Sequence, residues 1–393
     1  GSGGWGGVEG KEALPAGAGG RLACTMTLVT THGGTVVNLL HLDDDKVRES
    51  LTQLCIRGDV EKVQAALEED PEKALGMLCG KLDADGSTGL HLAAMSGHLR
   101  LTQELVARGC QVNATDSRSR TPLHVACSEG FAEVALELIM GGCDANLTDE
   151  NQQTALHRAV LLSGPEVVSV LIEHGGADLT IADGTKSTPL ILAAGHGRIE
   201  AMALLLGKDP SLARAANECG WTPLHLAAHG REMKKSSVKN TKFLPAVQML
   251  LEAKAPLEAT DEDKRTALHR AADTGNVETV GALLAAGADF NAADITRWTP
   301  MHFACQAGHV TVVKQLLDAK APVQREEPVC LTPLALATME NQVKVAELLL
   351  KHGASPDLRA KGLASAATIA RKDPEKHNDI LALFELGFVS HAA

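Results

Sequence analysis

The chain has 393 residues, a formal net charge of −12 at pH 7, and 22% charged residues. With aromatics at only 2% and no tyrosine, it offers neither the basic face nor the stacking rings that a nucleic acid requires. No run is long and apolar enough to cross a bilayer as a helix, so direct membrane insertion is not expected.

Residues 1–42 open on a glycine-rich stretch, Gly1 to Gly20, without hydrophobic periodicity, and most of this segment is expected to be disordered. A Gly-x-Gly-x-x-Gly match at Gly1, Gly3 and Gly6 lacks the preceding strand and following helix that pyrophosphate binding needs, so it is set aside. Leu28 to Leu42 is more apolar and is a candidate strand or docking segment. Residues 43–82 read as a degenerate helix pair, Ser50 to Asp59 and then Val60 to Glu69. The Asp43-Asp44-Asp45 run suits a helix amino end, and the pair is the expected amino-terminal cap.

Residues 83–360 are governed by one motif. Thr-Pro-Leu-His and close variants begin at Thr88, Thr121, Thr154, Thr188, Thr222, Thr266, Thr299 and Thr332, at intervals of 33, 33, 34, 34, 44, 33 and 33 residues. Such a period marks a stacked solenoid. Thr caps a helix through its hydroxyl, and Pro fits the first helical position, where its missing N–H costs nothing. Small pairs follow, such as Ala93-Ala94, Ala126-Cys127, Ala227-Ala228 and Ala304-Cys305, and let neighbouring helices approach closely. Gly97, Gly130, Gly197, Gly275 and Gly308 are placed to end this first helix in the left-handed region. A second helix carries larger aliphatics, for example Val312, Val313, Leu316 and Leu317, and closes at Gly109, Gly142, Gly176, Gly287 or Gly353. One such unit cannot bury its own apolar face, so stability comes from stacking on neighbours.

Residues 361–393 read as a degenerate ninth unit and tail. Ser365-Ala-Ala-Thr-Ile-Ala370 begins 33 residues beyond Thr332, and Ile380 to Phe388 supplies a second helix, but the His and Pro are gone. Together, Thr-Pro-Leu-His-x-Ala and the tail Gly287-Ala288-Asp289-Phe290-Asn291-Ala292 closely resemble the ankyrin-repeat family, over roughly Glu49 to Phe388. The resemblance implies an all-α repeat solenoid. Its helix-turn-helix units would be joined by short β-hairpin fingers, with the first helix of each unit lining a concave side. It also implies a protein-binding module rather than a catalyst.

The 44-residue interval holds about eleven extra residues at the turn between the two helices of unit five. This insertion, residues 231–242, is basic, with Arg231, Lys234, Lys235, Lys239 and Lys242. A plain solvated loop is one reading; a docking loop for an acidic partner, or phosphorylation at Ser236 or Ser237, is the sharper one. Nine cysteines without tight ligand spacing are expected to be buried reduced thiols, which places the chain in a reducing compartment, cytosol or nucleus.

Six histidines recur at the motif position: His91, His124, His157, His225, His269 and His302. Equivalent positions lie about one helix-packing distance apart, roughly 8 to 10 Å, whereas zinc needs each nitrogen about 2 Å away. They cannot share a metal, and the resemblance implies that each bonds backbone of the neighbouring unit. No nucleophile elbow, phosphate loop or His-Glu-x-x-His helix occurs, so neither catalysis nor a cofactor is expected. A catalytic site at the basic insertion is the weakest of the readings. Asn113, Asn146 and Asn291 stand where some ankyrin proteins are hydroxylated.

The positions left for recognition flank the motif. Partner-binding candidates are Arg118, Arg120, Glu129, Lys186, Trp221, Lys264, Arg265, Arg297, Trp298 and Gln306. Trp and Arg are enriched where binding energy concentrates, which makes Trp298 beside Arg297 the preferred anchor. Bulky residues before the motif Thr also serve local packing in that family, so Trp221 and Trp298 carry a structural reading as well. The expectation is a monomeric adaptor or scaffold that binds one or more proteins. The alternative is the regulatory ankyrin portion of a larger enzyme, channel or ubiquitin-ligase receptor. An open reading frame running from near Met26 to near Ala393 would favour the first.

Overall fold

A computed structural model describes residues 28–31, 34–37, 43–230, 243–324 and 330–385. The expectations for Gly1 to Gly20, for the basic insertion and for the end of the last helix lie outside these residues. Within Leu28 to Leu42, strands β1 (Leu28–Thr31) and β2 (Gly34–Val37) pair antiparallel with Leu28 opposite Val37.

The cap has three helices: α1 (Asp44–Arg57), α2 (Val60–Glu69) and α3 (Pro71–Cys79). Asp43 starts α1 by accepting from the Lys46 N–H at 3.0 Å, and Gly58 ends it at φ 69°. β2 lies beside α2. Helix α3 was not anticipated, although Asp70-Pro71 announces it: the carboxylate accepts from the Lys73 N–H at 3.1 Å and Pro takes the first helical position. The same dipeptide, Asp209-Pro210, starts a 3-10 helix at Pro210–Arg214.

Each unit then contributes an inner and an outer helix. The first four pairs are α4 (Gly89–Met95) and α5 (Leu99–Ala107), α6 (Pro122–Glu129) and α7 (Ala132–Met140), α8 (Ala155–Leu162) and α9 (Pro165–Glu173), α10 (Pro189–His196) and α11 (Ile199–Lys208). The next four are α12 (Pro223–His229) and α13 (Leu244–Glu252), α14 (Ala267–Thr274) and α15 (Val277–Ala285), α16 (Pro300–Ala307) and α17 (Val310–Asp318), α18 (Pro333–Met339) and α19 (Val343–Lys351). The ninth unit is α20 (Ala366–Lys372) and α21 (Asn378–Glu385). Inner helices pack on inner, outer on outer, and one continuous core of leucine, valine and alanine runs through the stack from Val47 to Ile380. This is the all-α repeat solenoid that the motif spacing implied.

The motif histidine ties unit to unit. In each of the six, Nδ1 accepts from the backbone N–H of its own motif Thr, at 3.0 to 3.2 Å. An N–H can only donate, so Nδ1 is bare and the proton sits on Nε2. From there His91, His124, His157, His225 and His269 donate to the carbonyls of Arg120, Gln153, Ser187, Arg265 and Trp298 in the next unit, at 2.8 to 3.2 Å. His302 instead faces Cys330 Sγ at 3.6 Å. In unit four Ile191 replaces the imidazole, and the buried Thr188 hydroxyl is left without a partner.

A second tie joins the far end of the inner helices, whose last carbonyls lack intrahelical donors. His98 donates to Ile56 O at 2.9 Å, His309 to Asp273 O at 3.0 Å and Lys376 to Met339 O at 2.9 Å; Ser163 and Arg198 do the same for Cys127 and Leu161. Three of these caps, His98, Ser163 and His309, sit over the glycine that ends the preceding inner helix. Gly275, at φ 73°, would place a Cβ 2.5 Å from the His309 ring.

One expectation fails. The thiols are not all reduced, because α3 brings Cys79 to a Cα–Cα distance of 5.1 Å from Cys110 and the two form a disulfide. The other six cysteines among the described residues form no disulfide.

Burial lowers the pKa of His91, His124, His157, His225 and His269 below the usual 6.5, and that of His269 to about 4. The fold holds the neutral form, so this stability is complete above the unfolded value and is lost as pH falls toward the folded ones. The unfolding midpoint should therefore drop between about pH 7 and pH 5, each group contributing a slope of at most about 1.4 kcal/mol per pH unit. His225→Ile, the natural choice of unit four, should flatten the curve; a midpoint independent of pH would show that the folded imidazoles take up protons as readily as the unfolded ones. Gly275→Ala should cost about 1 to 3 kcal/mol in denaturant titration, from a left-handed alanine pressed on His309, whereas Gly207→Ala, where a Cβ meets nothing within 4 Å, should cost nothing.

Candidate protein-binding face

Six fingers are each built on one acceptor. The side-chain Oδ1 five residues before the motif Thr accepts two backbone N–H groups, two and four residues ahead. Asp116 takes those of Arg118 and Arg120 at 2.9 and 2.8 Å, and Asp261 takes those of Asp263 and Arg265 at 3.0 and 2.9 Å. Asp149, Asp183, Asn217 and Asp294 repeat the pattern. Burial alone would raise the Asp116 carboxyl, but the Arg120 N–H, the Arg120 guanidinium and the Arg118 N–H outweigh it and hold the group below the usual carboxylate range. Backbone bonds then run finger to finger, as from Ile295 N–H to Asp263 O at 2.9 Å and from Glu150 N–H to Arg118 O at 3.0 Å. The resulting row of fingers is pre-ordered.

On units five to seven the finger bases and inner helices interlock through rings and guanidinium groups. Arg270, on α14, lies over the Trp221 ring at 4.2 Å and bonds Asp261 Oδ2 through Nε at 3.1 Å and through Nη2. Trp221 meets His229 edge-on at 5.4 Å. Arg265 lies over Phe303 at 4.8 Å, with its Nε 3.3 Å from Asp294 Oδ2. Phe303 meets Trp298 at 5.3 Å, and Trp298 stacks on His302 at 6.2 Å. Asp263, its carboxylate 46% exposed, reaches both Arg265 and Arg270 at 3.4 and 3.9 Å. Cation–π pairs of this kind contribute about 0.5 to 2 kcal/mol each, and here they fix the half-buried Trp221, Arg265 and Trp298 on the buried Arg270 and Phe303.

The structure therefore unites Trp221, Arg265 and Trp298 across three consecutive units. Lys264 and Arg297 flank them as exposed fingertip cations in the left-handed region, at φ 59° and 68°. Gln306 is half-buried on α16. Arg118, Arg120, Glu129 and Lys186 lie apart, on units two and four. Arg120 is engaged with Asp116 at 2.7 Å, Arg118 and Lys186 are exposed at fingertips, and Glu129 is exposed at the end of α6.

Sequence reasoning missed Arg270, Asp261 and Phe303, and also Arg158, which pairs with Asp149 through Nε at 3.2 Å and Nη2 at 2.6 Å. A signal was present. Arg158 and Arg270 both follow Thr-Ala-Leu-His, where the other units place Leu92, Val125, Leu192, Leu226, Phe303 or Leu336. The asparagines Asn113 and Asn146 use their amide oxygens to accept from Asp144 and Asp178 N–H of the following unit, at 2.9 and 2.7 Å. Among the described residues no group of three or more His, Cys, Asp or Glu is placed to hold a metal, and no helix is long and apolar enough to cross a membrane.

A family model described as ankyrin repeats, three copies, matches in overlapping placements from residue 51 to residue 360. Among solved structures, the ankyrin repeat domain of Bcl-3, described as a unique member of the IkappaB protein family, is 25% identical. That match has a TM-score of 0.51 and covers 61% of this chain and 100% of that one. The family match takes in the cap, all eight motif-bearing units and the fingers between them, and the chain belongs to the ankyrin-repeat family.

Proposed function

We propose that the chain is an adaptor or scaffold that holds a partner protein against its fingers and inner helices, centred on units five to seven. Ankyrin repeats are protein-interaction modules, and their fold is a non-catalytic one. The observation that carries the reading is that the buried Arg270 and Phe303 hold the half-buried Trp221, Arg265 and Trp298 in one continuous run. Large side chains already locked in place lose little entropy on association, so a modest area of them binds well. Lys264, Arg297 and Gln306 edge this centre, and Arg118, Arg120, Glu129 and Lys186 extend the surface toward the amino-terminal units. The free thiols of Cys55, Cys127, Cys143, Cys219 and Cys305 support a cytosolic or nuclear setting.

The packing separates two classes of variant. Arg297→Ala with Lys264→Ala removes exposed side chains. It should weaken a partner captured by affinity purification by about tenfold or more while leaving circular dichroism and the unfolding midpoint unchanged. Trp298→Ala removes a ring stacked on His302 and Phe303 and should in addition cost about 2 kcal/mol of stability. Wild-type affinity in the double variant would remove units six and seven from the interface.

A further inference from the structure

Cys79 closes α3, and Cys110 stands just past Gly109, where the outer helix of unit one ends. The equivalent of Cys110 in later units is a small residue: Cys143, Ala177, Ala255, Ala288, Ala321 and Ala354. Unit one alone has α3 before it, and among the described residues only there does a second sulfur bond to this position. Cys110 is 5% exposed while Cys79 is half-buried, which leaves Cys79 as the sulfur open to reagents.

Four of the other thiols are shielded, whereas Cys219 is exposed but forms no disulfide. Burial pushes the Cys55 and Cys143 thiols up to about 12 and those of Cys127 and Cys305 higher still, so these thiols are poor nucleophiles. The bond also sits where a covalent tie has most effect. The end of a linear stack has a neighbour on one side only and opens first. Apart from the disulfide, α3 is held by Ala74 and Leu78 in the core against α2 and α4, and by a Lys73–Asp44 ion pair at 2.9 Å.

We propose that Cys79 and Cys110 are a redox latch, a site of reversible two-electron oxidation by peroxides that governs how firmly α1 to α3 hold to the first unit. Oxidation takes one hydrogen from each thiol and joins the sulfurs, while the peroxide O–O bond breaks, accepts two electrons and two protons, and leaves water and an alcohol. A dithiol reverses it. Its thiolate attacks the Cys79 sulfur and Cys110 leaves; the second thiol of the reagent then resolves the mixed disulfide and is itself oxidised.

The test uses the full chain, treated with hydrogen peroxide or with dithiothreitol. Peptide mapping of the oxidised sample should recover Cys79 joined to Cys110, lighter than the reduced pair by two hydrogens. Amide exchange over residues 44–79 should be at least about tenfold faster in the reduced chain, with units five to eight unchanged. Cys79→Ser should exchange fast under both conditions, and so should Cys110→Ala, which installs the residue that other units carry. Equal exchange over residues 44–79 in oxidised, reduced and Cys79→Ser chains would overturn the latch, as would recovery of Cys79 joined to a different cysteine.

Discussion

Everything in this molecule hangs on a neutral imidazole held between two units. The motif His fills the gap between its own Thr N–H and a carbonyl of the next finger, and it can do so only while Nδ1 is bare and Nε2 carries the proton. One side chain thereby starts an inner helix, positions the finger that follows, and sets the register between neighbours. Proline and threonine prepare the helix start, but they reach no further than their own unit. The long-range order of the stack comes from the imidazole and from the caps that cover the carbonyls at the other end of each inner helix.

That division explains what could be read from the chain before its structure. Helix starts, closing glycines and unit boundaries are local matters, written in Thr-Pro, in Gly275 or Gly308, and in the regular interval. Helix α3 was equally local and equally visible, since Asp70-Pro71 is a strong start signal; it was overlooked because it interrupts the repeat pattern. The disulfide depended on that helix and was missed with it.

The recognition face was legible only in part, for a different reason. Trp221, Arg265 and Trp298 stand next to motif threonines and draw notice one at a time. What joins them is Arg270, which spans from the finger of its own unit to the ring of the preceding one, and Phe303, which sits between Arg265 and Trp298. Those pairings cross unit boundaries, so sequence separation hides them. The tie of Arg270 to Asp261, the same aspartate that shapes the finger, also means that the shape of the finger and the placement of the aromatic surface share one carboxylate.

Unit four carries Ile191 where its neighbours have histidine, and the Thr188 hydroxyl beside it has nothing to bond. The junction between units four and five keeps its finger-to-finger backbone bond, from Glu218 N–H to Thr185 O at 3.1 Å, but has no imidazole strut. In a one-dimensional array, cooperativity is only as strong as the weakest coupling between adjacent modules. The solenoid thus contains a built-in seam, with three fully braced modules on one side and Trp221 opening the block on the other. Pulled or sheared, such a rod has a yield point inside it as well as at its ends, and parting there leaves units five to seven together.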